Sequence, residues 1–132
     1  MFVYLTSLVT VALVLGVSQA RAQAPDPSLK PASGSVKLKA GFEPDPFSKK
    51  LVAGGPIKTK LGGVTQYVSR APDFRLNYTA GEFLLRIYVE AKGDTTLLIN
   101  LPDKTWKAND DGGDGKNPQI TFNNPQSGQY DI

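Results

Sequence analysis

The chain has 132 residues, which limits it to a single domain of ordinary size. Fifteen Lys and Arg against 12 Asp and Glu give a formal charge of +3, and there is no Cys and no His. Those two absences exclude disulfides, thiolate zinc sites, Cys nucleophiles and any Ser-His-Asp triad.

Residues 5–17 (LTSLVTVALVLGV) are an apolar run of signal h-region length, short of the ~20 residues a spanning helix needs. Two small-x-small sites follow, Ala20-Arg21-Ala22 and Ala22-Gln23-Ala24. Cutting at the second would leave Pro25 first in the mature chain, so cleavage is expected after Ala22. Residues 1–4 hold no Lys or Arg, and the alternative is an uncleaved N-terminal anchor. The expected location is periplasmic or secreted, with no integral membrane segment after cleavage.

Loss of Arg21 lowers the charge to +2, unevenly spread: residues 23–60 carry +4 and residues 61–132 carry −2. The basic half (Lys30, Lys37, Lys39, Lys49, Lys50, Lys58, Lys60) has no Arg and no interleaved aromatic platform. No nucleic-acid partner is expected from it, and it reads as a solvated basic segment. Residues 24–34 (APDPSLKPASG) hold three prolines, so residues 23–39 are assigned to a Pro/Lys-rich linker preceding the domain at 40–132.

Strand signals begin near Ser35, and the high Gly and Pro content favours turns over helix. Short candidates fall at residues 50–53 and 66–68, followed by 73–78 with Phe74, Leu76 and Tyr78 on one side. Residues 82–90 alternate most clearly, with Phe83, Leu85, Ile87 and Val89 opposite Arg86, Tyr88 and Glu90. After a turn at 92–94, residues 95–101 point Leu97, Ile99 and Leu101 inward. A turn at 102–104 leads to a strand at 105–108, then the loop 109–118 (NDDGGDGKNP). Residues 119–122 form a short strand, 124–128 a turn, and one more strand starts at Gln129. No window has a sustained helical period. The expected fold is all-β, an antiparallel β-sandwich of about seven to eight strands. Its last strand starts only at Gln129, and the natural protein is expected to be longer than Ile132.

Residues 40–132 also carry a specific series. It comprises Ala40-Gly41-Phe42-Glu43-Pro44-Asp45-Pro46, Ala53-Gly54-Gly55 and the run 67–81 (YVSRAPDFRLNYTAG). Asp94-Thr95-Thr96-Leu97, Asn100, Pro102-Asp103, Trp106, Asp110-Asp111, Asn117-Pro118 and the run 125–132 (PQSGQYDI) complete it. The series resembles a family of small exported bacterial proteins related to the pre-peptidase C-terminal domain. That resemblance implies a β-sandwich accessory module, often without catalysis, with calcium-binding examples among its relatives. The chain departs from the family pattern in three ways. Val64 and Ala108 stand where many members carry a pair of Cys; Gly112-Gly113-Asp114-Gly115-Lys116 alters the acidic loop; and the Trp-Val-Gly ending is missing.

Asp110, Asp111 and Asp114, with Asp94 and Asp103 on nearby turns, are the candidate ligands for Ca²⁺, which takes six to eight oxygens. An EF-hand register fails, because position three from Asp110 is Gly112 and position twelve is Thr121. Turn formation by Asn, Asp and Gly accounts for the same residues and is the favoured reading. A glycosidase pair is not expected, since the neighbours Asp110 and Asp111 point to opposite faces of an extended chain. No S-x-x-K, G-x-G-x-x-G or G-x-x-x-x-G-K occurs. Trp106, the single Trp, is expected in the core rather than stacked on a sugar. These residues lead to a non-catalytic exported binding module whose partner is a protein or polysaccharide of the cell envelope. The alternative is an accessory domain of a larger secreted hydrolase.

Overall fold

Period-two alternation places the strands. A computed structural model describes residues 23–132, and the signal read in residues 1–22 lies outside the described residues. The strands are β1 (Ser35–Lys39), β2 (Ile57–Thr59), β3 (Gln66–Val68), β4 (Arg75–Thr79) and β5 (Leu85–Tyr88). They continue with β6 (Leu97–Asn100), β7 (Trp106–Asn109), β8 (Gln119–Phe122) and β9 (Gly128–Asp131). Among the described residues the one helical element is a 3₁₀ turn at Leu61–Gly63, so the fold is all-β as expected.

Five strands form one sheet in the order β1-β4-β9-β6-β7, opposed by the two-stranded sheet β5-β8. Leu76, Tyr78, Leu97, Ile99, Leu101 and Tyr130 from the first meet Leu85, Ile120 and Phe122 from the second in one buried cluster. Edge-on aromatic contacts join Tyr130 to Phe122 and to Tyr78, with centroids 5.5 and 6.5 Å apart. This sheet-on-sheet core is the sandwich expected from the alternating strands. Its pairings are antiparallel except one: β1 runs parallel to β4, Lys37 opposite Asn77.

Several local expectations change. The strand read at residues 50–53 does not form, and Val52 is 87% exposed; Ile57, buried at 5%, anchors a hairpin of β2 with β3 instead. Phe83 lies outside β5 and is 63% exposed, so the inward stripe starts at Leu85. Trp106 is half-buried and stands opposite Asn100, on the face of β6 and β7 turned away from Ile99; it is not in the core cluster. The segment read as an extended linker is built into the domain. Asp26 N–H donates to the Arg70 carbonyl, Ala32 N–H to Pro72 and Ser33 N–H to Asp73, and β1 itself completes the sheet. A proline-rich strip lacks the donors of a regular strand, but its remaining N–H groups still find the sheet.

β9 lies inside the sheet, pairing with β4 from Tyr78↔Gly128 to Arg75↔Asp131 and with β6 at Asn100↔Asp131. Among the described residues no helix is long and apolar enough to cross a membrane.

Candidate functional site

The acidic loop is set by the β6–β7 register. Leu97 pairs with Asn109, so the residue run entering β6 and the one leaving β7 meet at the same end of the sheet. Asp94 therefore faces Asp110 and Asp111, and one carboxylate oxygen from each lies within 4.8 Å of the others. Oxygens that bind one Ca²⁺ at 2.3–2.6 Å each are separated by no more than ~5 Å, so this spacing suits a single ion.

The other two candidates are not in that group. Asp103 sits past the far end of β6, in the turn that leads to β7. There it accepts the Thr105 hydroxyl at 2.6 Å and the Thr105 N–H at 3.0 Å, with Gln126 at 3.4 Å. The Thr105 hydroxyl, followed by its N–H, holds the Asp103 carboxyl below its usual range. Asp103 is thus a turn residue, separated from Asp94 by the length of the strand. Asp114 lines an adjoining concavity of about 360 Å³ with Asp94, Lys116 and Asn117, and its carbonyl accepts Asn117 N–H.

Turn chemistry accounts for the loop backbone. Asn109 Oδ1 accepts the N–H groups of Gly112 (2.7 Å) and Gln119 (2.9 Å), tying both ends of the loop together. A Cβ on Gly112 would fall 2.5 Å from that Asn109 oxygen, which is why Gly stands there. Lys116 already supplies a cation at 3.5 Å from Asp94, between side chains that are 75% and 58% exposed. The loop therefore offers one geometric feature for a divalent cation, the converging carboxylates, and one competing partner, Lys116.

A second polar centre lies where no sequence motif marks it. Arg75 on β4 donates through Nε to Asp131 of β9 at 2.6 Å, with side chains 18% and 2% exposed. Its Nη2 donates to the carbonyls of Pro27 and Leu29, and Gln129 Nε2 donates to the other Asp131 oxygen. These five residues come from three stretches far apart in the chain, 27–29, 75 and 129–131, so no local pattern announces the centre. Asn100 and Gln66, 2% and 3% exposed, each give their amide N–H to backbone carbonyls. Their side-chain carbonyl oxygens have no partner among the described residues.

The fold and these centres define the class: an all-β, sandwich-like domain with an acidic loop at one end and a part-buried Arg–Asp fastener across its sheet. Compared with known proteins, the chain matches no family model, no curated protein and no solved structure.

Proposed function

We propose that this protein is an exported, non-catalytic β-sandwich module that binds a protein or polysaccharide of the cell envelope. The observation that carries the reading is the apolar run of residues 5–17 followed by the small-x-small site Ala20-Arg21-Ala22. Downstream of that site, among the described residues, Asp26 N–H already donates to the Arg70 carbonyl, so the part that follows the expected cut carries the sandwich. The residue series in 40–132, read as resembling that of small exported accessory proteins, is the sequence ground for the accessory role in this reading. Expression in a Gram-negative host is expected to yield periplasmic protein whose N-terminal residue is Gln23. Intact Met1 recovered in the membrane fraction would falsify the export half of the proposal.

Stabilisation of the loop by Ca²⁺ is a second reading, carried by the 4.8 Å convergence of Asp94, Asp110 and Asp111. It fits an accessory domain of a larger secreted hydrolase equally well, and a melting scan in CaCl₂ against EDTA tests it.

A further inference from the structure

Among the described residues, the outer face of the five-stranded sheet is covered at one end and open at the other. Toward β7, the 3₁₀ turn Leu61–Gly63 lies on the strand so closely that a Cβ on Gly62 would fall 2.5 Å from Ala108 N. Beside Asp131, residues 27–29 take the Arg75 guanidinium. The remaining part is a concavity of about 520 Å³ across β1, β4 and β9.

Its side chains are fixed by register. Val36, Leu38, Leu76 and Tyr78 belong to the core side, so Lys37, Lys39, Asn77 and Thr79 point the other way. Lys37, Asn77 and Gln129 stand in one cross-strand row, about 10 Å long at the usual strand spacing, with Lys39 and Thr79 paired beside it. Both lysines are exposed and make no ion pair among the described residues. The Asn77 amide makes no side-chain hydrogen bond there either, whereas Gln129 gives its N–H to Asp131 and keeps its carbonyl oxygen as an acceptor. Asp131, on the same face, is already neutralised by Arg75.

We infer that this face binds an anionic polysaccharide, with sugar carboxylates on Lys37 and Lys39 and sugar hydroxyls on Asn77, Thr79 and Gln129. The inference rests on the binding-module reading above and names the chemistry of its ligand. Two cations about 7 Å apart along one strand select repeated negative charge, and the amide and hydroxyl groups between them match hydroxyls. The row carries no aromatic side chain for stacking bases or uncharged sugar rings, and no apolar side chain for entering a bilayer.

Affinity electrophoresis of the purified protein in EDTA-containing gels tests this, with polygalacturonate as the probe. Dextran gels supply hydroxyls without charge, poly-glutamate gels supply charge without sugar, and sedimentation with phosphatidylglycerol vesicles reads membrane attachment. Polygalacturonate is expected to retard the protein, least at high salt, while the other three do not. Lys37→Glu with Lys39→Glu should weaken that retardation about tenfold or more, and Asn77→Ala should weaken it severalfold. Lys58→Glu, on β2, should leave it unchanged. Equal retardation by poly-glutamate, binding to vesicles, or retardation indifferent to the Lys37 and Lys39 changes would overturn the inference. So would no retardation by polygalacturonate. Because export is read separately from the mature N-terminus, a protein that is exported but not retarded sinks the ligand and spares the module reading.

Discussion

Two carboxylates of this protein respond to their surroundings in opposite directions. Burial pushes the Asp73 carboxyl above its usual range, whereas Ser28 hydrogen bonds hold that of Asp26 below it. A raised native value means that stability is fully present below the unfolded value near 3.8 and is lost as pH rises through the native one. Asp73→Asn should therefore melt like the parent near pH 3.5 and above it at pH 7. A gap between the two that is the same at both pH values would contradict the burial argument. Asp26 and Asp103, both lowered, act the other way: their contribution is present above about 3.8 and fades below it. In the acidic loop, three solvent-accessible carboxylates and a competing Lys116 imply weak Ca²⁺ affinity, on the order of 10⁻³ M. At a free Ca²⁺ concentration equal to Kd the gain is RT ln 2, about 0.4 kcal/mol, or roughly 2–3 °C in Tm. A melting scan in CaCl₂ against EDTA at matched ionic strength should show that rise, and Asp111→Asn should erase it. Identical curves would leave the loop to Asn109 and its glycines.

At the scale of the element, β6 is the strand whose environment departs most from its sequence pattern. Alternation marks Leu97 and Ile99 as inward, and they are 2% and 0% exposed. Leu98 and Asn100, on the opposite face, are buried as well, at 9% and 2%. A central strand covered on both sides gives large packing losses on truncation. Ile99→Ala should cost about 2–5 kcal/mol in a denaturant melt. Arg86→Ala, on the exposed face of β5, should cost under ~0.5 kcal/mol. Equal losses at the two positions would show that the sandwich register is wrong. Residues 105–108, 119–122 and 66–68 were legible because turn residues and apolar spacing bracket them. The hairpin strand β2 was not, since three residues hold too little alternation to outrank the more apolar residues 50–53.

Across the whole molecule, the fastener Arg75–Asp131 joins the beginning and the end of the described chain. A true linker could be removed without effect, but carbonyls of this segment accept two hydrogen bonds from Arg75, each from a charged donor. Removing residues 23–31 from the mature chain should lower stability by about 2–4 kcal/mol at neutral pH. No change in Tm would restore the linker reading. By itself the sequence determined the all-β class, most strand positions and the inward residues of β4 to β6, because period-two burial is written into neighbouring residues. It also marked the acidic loop, through the Asn and Gly that its turn requires. Tertiary structure alone decided which acids meet: antiparallel pairing of β6 with β7 brings Asp94 to Asp110 and carries Asp103 to the opposite end. It alone decided the parallel placement of β1, the Arg75 fastener and the row Lys37–Asn77–Gln129. Those contacts join residues tens of positions apart, and local chemistry holds no record of which distant strand will lie alongside.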